Sequence, residues 1–339
     1  MESLIAILES GADLGPKQIT HAIEFLLSTE ESDGEKMQFL RALRDKGESA
    51  AEVGGFAQAM LAHAVRPELG ALPGPTIDVC GTGGDRRGYF NVSTAVMFVA
   101  AAAGACVMKH GNRSVTSKTG AADVLEELGV KIDLTPAELR TSLEDHGVAF
   151  IFAPSFHPAF KVIGPVRKAL ATQGVSTIFN ILGPLLNPAR PDFQLVGIYH
   201  ADLLPKYGEA LRTLGRKRAW AVHGDGTDEV ALTGPTQIHA VDGAKLSNFQ
   251  ITPEQFGLTR CAPEALLGGD RVKSAGIIRS ILDGSERGPK RDMVLLNAAA
   301  ALVITGLAPD LAAGLVQAAE AIDGGKAQAK LEGLRKIGK

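Results

Sequence analysis

Cysteine is scarce and poorly placed for cross-linking. Cys80, Cys106 and Cys261 are odd in number, far apart and without a CxxC pair, which excludes a disulfide framework and a zinc knuckle and suits a reducing cytoplasm. An excess of positive charge is also missing. Lys and Arg number 35 against 38 Asp and Glu, for a net charge of −3, so the chain offers no polycationic surface for nucleic acid and any anion site must be local. No apolar run is long enough to span a bilayer. The longest, Ala95 to Met108, has 14 residues against the roughly 18–20 required, and Gly104 divides it into a helix end and a following strand. The first residues, MESLIAILESGADLG, lack the basic start and small-residue cleavage site of a signal peptide. HExxH, GxSxG and Cys/His clusters are absent, leaving no hydrolase or zinc reading. There is no internal repeat and no low-complexity tail.

A 45% hydrophobic content with 22% charged residues describes a globular chain with ample core. To about residue 66, apolar positions recur at helical spacing, as in Ile19, Ile23 and Leu26, then Met37, Leu40 and Leu43, then Phe56 and Met60. This predicts a bundle of short helices. Pro67 to Pro75 is a connection, after which strands and helices alternate. Strands are expected at Thr76–Cys80, Ala105–Met108, Val148–Phe152, Phe193–Tyr199 and Ala219–Val222, with helices at Ser93–Ala103, Thr119–Leu128, Thr135–Gly147 and Leu203–Leu214. Such alternation implies an α/β fold with a mostly parallel central sheet flanked by helices. Gln237 to Ile251 reads as a hairpin turning at Asp242-Gly243, Thr252-Pro253-Gln255 as the cap of a further helix, and the chain from Asp270 as almost wholly helical.

Two glycine-rich segments carry the chemistry. GTGGD (Gly81 to Asp85) follows a buried strand and precedes a helix, a junction where backbone N–H groups and the helix N-terminus together suit a diphosphate. Similar turns also occur without a ligand. A dinucleotide fingerprint would need glycine where Arg86 stands, and a P-loop would need one in place of Ser117. KHGNRSVTSKTG (Lys109 to Gly120) concentrates basic, hydroxyl and amide side chains at the end of a predicted parallel strand, where open sheets bind ligands. His110 taken alone reads as structural. Asp228 and Glu229, in HGDGTDEVALTG, are either surface acids or, in a glycine-containing turn, two carboxylates able to reach one or two Mg²⁺ ions.

In order along almost the whole chain, DVCGTGGD, FNVSTA, KHGNRSVTSKTG, APSFHPAFK, PVRKAL, TIFNILGPLLNPA, VHGDGTDEVALTG and LLNAAAAL resemble the segments of the anthranilate phosphoribosyltransferases. The resemblance implies a small all-helical domain (1–70), dimerising and packed by helices from about 158–187, and a larger α/β domain (71–339) with the active site in the cleft between them. It implies that phosphoribosyl pyrophosphate is bound by Gly81, Gly84, Asp85, Tyr89, Asn91, Ser93, Thr94 and Ala121, with Lys109, His110, Gly111, Asn112, Arg113, Ser114, Val115, Thr116 and Ser117 closing over the pyrophosphate. Anthranilate would meet Gly81, Asn112 and Arg167, with Gly183 at its entry and His110, His157 and Phe160 along its border. Ser93, Asp228 and Glu229 would hold two Mg²⁺ ions. An aromatic amine needs no deprotonation before attack, so no general base is expected.

The chain departs from the family pattern at a few places. A few extra residues lie between Arg167 and Thr177, Ser176 stands where a basic residue is common, Ala121 replaces a serine and Tyr89 a small polar residue. The first two therefore bear on acceptor specificity and the last two on affinity for phosphoribosyl pyrophosphate. Pyrimidine nucleoside phosphorylase, on the same fold, is the enzymatic alternative; it has a Lys-His-Ser element where this chain reads Asp78-Val79-Cys80, and no Asp-Glu pair. A catalytically silent, nucleic-acid-binding paralogue is the other, and overall acidity argues against it.

Overall fold

The computed structural model describes residues 1–85, 87–114 and 119–338. Four helices come first: α1 (Glu2–Glu9), α2 (Pro16–Leu27), α3 (Asp33–Lys46) and α4 (Ala50–Ala62). Their apolar stripes meet in one core that includes Leu26, Phe39, Leu43 and Phe56, all fully buried, each contributing roughly 1.5–3 kcal/mol by leaving water. The α4 start is fixed by a reciprocal cap, Ser49 Oγ accepting from Glu52 N–H and Glu52 Oε2 from Ser49 N–H.

The second unit opens with β1 (Thr76–Gly81), α5 (Val92–Ala102), β2 (Cys106–Gly111), α6 (Ala121–Glu127), α7 (Pro136–His146) and β3 (Val148–Phe152). The chain then leaves the sheet through α8 (Ala153–Phe156), α9 (Phe160–Thr172) and α10 (Phe179–Leu182), of which α9 and α10 pack with the N-terminal helices. It returns as β4 (Phe193–Gly197), α11 (Leu204–Thr213), β5 (Arg218–Gly224), β6 (Thr236–Asp242) and β7 (Lys245–Ile251), and ends in α12 (Arg271–Leu282), α13 (Pro289–Thr305), α14 (Leu311–Asp323) and α15 (Lys326–Leu334). The expected strands, hairpin and helical C-terminus are all present. The expected helix after Thr252 is not: its capping bonds form, but only a 3₁₀ turn, Pro253–Phe256, follows before Gly257 turns left-handed at φ 74° and ends it.

Strand order is β3-β2-β1-β4-β5-β6-β7, the first five parallel and the last two antiparallel. Alternation along the strands splits the core. Ile77, Val79 and Leu195 face α5 and α12–α15, whereas Val196 and Ile198 face the N-terminal helices and α11. The chain builds outward from β1 to β3, then returns to the opposite side of β1 as β4. This reversal leaves a crevice at the C-terminal ends of β1 and β4, the position where open α/β sheets bind ligands.

Candidate active site

Gly81 ends β1 and Gly197 ends β4, and the two are Cα partners in the ladder. Neither has room for a side chain. A Cβ on Gly197 would fall on the carbonyl of Asp228, and one on Gly81 on the Asp228 carboxylate. The missing atoms let the segment after β5 lie across both strand ends, where Gly83 N–H donates to Asp228 Oδ2 at 2.7 Å. Asn297, fully buried on α13, secures the other side of this acidic segment. Its Oδ1 accepts from Val230 N–H at 2.9 Å and its Nδ2 donates to Val230 O at 2.9 Å, with a second donation to Met293 O. Ala298 to Ala301 let α13 lie close enough to α5 and α14 to place that amide. Below the acids lies a cavity of about 10 Å³, bordered by Ser93, Asp228, Glu229 and Asn297.

Lys109 does not extend into the second loop. It is on β2, only 2% exposed, and its ammonium donates to Val79 O at 2.6 Å and Ser93 Oγ at 3.0 Å. Burial pushes its pKa down while Asp78, Glu229 and Asp228 pull it back up. The acids answer in kind. Burial, then the charge of Asp85, raises Asp228 to about 6, and burial with Asp228 beside it holds Glu229 well above the usual carboxylate range. Lys109 is the only positive charge that these shifts reflect beside the acids.

That deficit is the test for Mg²⁺, and the residues fit it. Ser93, Asp228 and Glu229 supply hard oxygen donors. Two carboxylates and a hydroxyl suit an ion that takes one or two carboxylates and completes its shell with water and substrate phosphate.

Asn91 is the N-cap residue of α5 and its Nδ2 donates to Thr119 O at 3.2 Å. Ser93 and Thr94 lie in the first turn, where the helix presents N–H groups and partial positive charge. Thr94 Oγ1 is buried and has no partner among the described residues. Gly84 and Asp85 lie in the first loop, and Asp85 Oδ1 accepts from Arg87 N–H. Tyr89 bridges to Leu267. Gly111 ends β2, Asn112 is exposed, and Arg113 is engaged by Asp123 and Glu126 of α6. Val115, Thr116 and Ser117 lie outside the described residues.

A second cluster adjoins His110. Its ring meets that of His157 at 5.4 Å, His157 meets Phe160 at 5.8 Å, and Phe160 meets Phe179 at 5.8 Å, each edge to face. Arg167 lies over both phenylalanines, 5.4 Å from Phe160 and 5.6 Å from Phe179. Among the described residues no carboxylate pairs with it, so its fork is available to an acid from outside. His157 Nε2 donates to Leu186 O at 2.8 Å. Burial and the neighbouring His157 hold His110 down to about 3, so both imidazoles are neutral at ordinary pH. Gly183 is exposed at the start of a 3₁₀ turn after α10.

Residues 73–328 match the family model for the glycosyl transferase family a/b domain, and residues 2–64 that for its helical bundle domain. A curated anthranilate phosphoribosyltransferase of Methanocorpusculum labreanum is 45% identical over 327 residues, 96% of this chain and 94% of the relative. That of Haloferax volcanii is 44% identical over 338 residues, 99% of each. This chain belongs to the anthranilate phosphoribosyltransferase family. Among solved members, the enzyme from Thermus thermophilus superposes with a TM-score of 0.91 at 36% identity, covering 98% of both chains. The Saccharomyces cerevisiae enzyme in complex with PRPP and Mg superposes at 0.86 with 26% identity, covering 98% of this chain and 97% of that one.

In this anthranilate phosphoribosyltransferase family member, the segment between Arg167 and Thr177 runs from the end of α9 into an exposed turn before α10, where Gly174 has φ 71° and Ser176 is exposed. Phe179 was not among the residues expected at the acceptor site; the only sign of it was its place in TIFNILGP. Asn297 was likewise visible only as the polar residue in LLNAAAAL.

Proposed function

We propose that this protein transfers the 5-phosphoribosyl group of phosphoribosyl pyrophosphate to the amine of anthranilate, a step of tryptophan biosynthesis. One pair of observations carries the reading: a cation-deficient acidic pair lies at a glycine-loop strand switch, and a chain of rings from His110 on the neighbouring strand β2 leads to an arginine stacked on two phenylalanines, with no carboxylate partner among the described residues. The first half suits a metal-bound pyrophosphate and the second an aromatic acid.

The ribose C1–oxygen bond to pyrophosphate breaks with its electron pair leaving on the pyrophosphate oxygen, the anthranilate nitrogen bonds to C1, and the amine then loses one proton to solvent. Mg²⁺ supplies charge neutralisation of the leaving group. The N–H groups of Gly81 to Asp85 and the N-terminus of α5, with Asn91, Ser93 and Thr94, bind the phosphoribosyl pyrophosphate. Asp228 and Glu229, with Ser93, would hold the metal, which we assign as two ions. Lys109 keeps Ser93 and the acids in place as a fixed counter-charge. Arg167 orients the anthranilate carboxylate while Phe160, Phe179 and His157 border its ring, with Asn112 between the substrates and Gly183 at the entrance. No general base is assigned, in keeping with an amine that is nucleophilic as it stands. Orientation and electrostatic stabilisation thus carry the rate.

The N-terminal helices are assigned to homodimerisation, and the protein to the cytoplasm. No helix among the described residues is long and apolar enough to cross a membrane.

The decisive assay follows loss of anthranilate fluorescence with phosphoribosyl pyrophosphate and Mg²⁺, with and without EDTA. Turnover abolished by EDTA is expected, as is a fall of at least about a hundredfold in Asp228→Asn with Glu229→Gln at limiting Mg²⁺. Unchanged turnover in that double variant would overturn the metal assignment. Phosphate-dependent cleavage of uridine or thymidine without anthranilate consumption would overturn the reaction.

A further inference from the structure

The second glycine-rich loop leaves β2 and returns to α6 through a narrow neck, and one side chain binds both of its sides. Asp123 Oδ2 accepts from Ser114 N–H at 3.1 Å on the outgoing side and from Gly120 N–H at 2.9 Å on the returning side. Its Oδ1 accepts from Arg113 Nη1 at 3.3 Å, and Glu126 holds the same guanidinium bidentately at 2.5 and 2.7 Å. At Gly120 the two sides touch: a Cβ there would collide with Ser114 N, Arg113 C and Asn112 O. Ala122 N–H donates to Asn112 O at 3.3 Å, which completes the neck.

A helix cap explains only part of this. Asp123 is the third residue of α6, and its bond to Gly120 N–H belongs to a capping box. The bond to Ser114, nine residues back and outside the helix, does not. One oxygen shared between the two sides of a loop fixes their separation, and with it the backbone of Asn112, Arg113 and Thr119 beside α5.

We propose that Asp123 is a positioning residue for phosphoribosyl pyrophosphate: its carboxylate ties together the two sides of the second phosphate loop and so sets the geometry in which that loop meets the pyrophosphate. This rests on the assignment of that loop to phosphoribosyl pyrophosphate. The carboxylate touches no substrate. Its effect is carried by Ser114 and Gly120.

The test compares Asp123→Ala, Asp123→Asn and Glu126→Gln in the full chain, by calorimetric titration with phosphoribosyl pyrophosphate and Mg²⁺, steady-state kinetics and thermal unfolding. Asp123→Ala is expected to raise the Kd and KM for phosphoribosyl pyrophosphate about tenfold or more, with the anthranilate KM within about twofold of wild type. Asp123→Asn keeps an oxygen for both N–H groups and is expected to stay within about threefold. Glu126→Gln, which changes only the exposed arm of Arg113, is expected to leave the Kd unchanged. If Asp123→Ala does not fold, Asp123→Glu, which displaces the oxygens by one methylene, takes its place with the same expected direction. A lower Tm with an unchanged Kd would mean that Asp123 only caps α6, and would overturn the inference. Wild-type protein that fails to bind phosphoribosyl pyrophosphate would instead overturn the assignment of the loop, and the inference with it.

Discussion

Replacing Asn297 by alanine removes a side chain that stands in for a strand partner. Its amide closes a two-bond ring with the peptide groups of Val230, next to Glu229, and Val230 is fully buried. The third bond, to Met293 O, is expendable, because that carbonyl retains the amide of residue 297 within α13. Two buried backbone groups would therefore lose their partner, at about 1–3 kcal/mol each, or about 2–6 kcal/mol in all. With an unfolding entropy of about 2.1 cal/mol/K per residue over this chain, Tm should fall by roughly 3–8 °C. Calorimetric unfolding without metal tests this, and Mg²⁺ titration of activity supplies a second reading, because release of Val230 loosens Glu229. Asn297→Asp, of equal size, keeps an acceptor for Val230 N–H but turns oxygen toward Val230 O, and should be no better than alanine. A change in Tm below about 1 °C in Asn297→Ala, or full rescue by aspartate, would refute the view that the amide anchors the acidic segment.

Two other expectations rest on separate features. Gly197→Ala puts a methyl on the carbonyl of Asp228, so the acidic segment must shift from the strand ends; kcat/KM should fall at least about tenfold, whereas Gly276→Ala, on an open face of α12, should leave activity intact and stabilise by about 0.5–1 kcal/mol. Equal activity in both variants would show that the close approach is not needed. His110 has its pKa lowered from 6.5 to about 3 by burial, His157 and Lys109, so the unfolded chain binds the extra proton between those values and stability falls as pH drops through that window. From pH 8 to pH 5 the loss from this group is about 2 kcal/mol, and denaturant unfolding of His110→Gln should show a correspondingly flatter pH dependence; a parallel dependence would place the proton elsewhere.

Local signals made much of this molecule legible. Thr76 to Cys80 reads as a buried strand, and the glycines that follow mark the turn at its end, because apolar runs and turn residues act over a few positions. Family resemblance added the acids and Arg167. What escaped lies in contacts between distant segments. Lys109 reads as the first residue of a basic loop, yet the pleat of β2 turns it inward, where Ser93 and Val79 satisfy its ammonium. Phe179 completes the Arg167 stack only because the α9–α10 connection doubles back. The cap at Thr252 is chemically sound, but Gly257 ends the turn before a helix can propagate.

The strand reversal explains why the charges of this site belong together. Only at the β1–β4 crevice can a segment lie across two strand ends, and only glycine at 81 and 197 lets it lie close enough to bury its carboxylates. Burying Asp228 and Glu229 near Asp85 is unfavourable, as their raised pKa values record. One buried lysine offsets part of this, and the remainder is what the proposed divalent ion would neutralise. Hydrophobic replacements would give a more stable sheet edge without attracting any cation. On the proposed metal assignment, a bound cation would relieve a repulsion that burial imposes, while the anchors at Asn297, Gly83 and Lys109 hold the acidic segment and Ser93 in place.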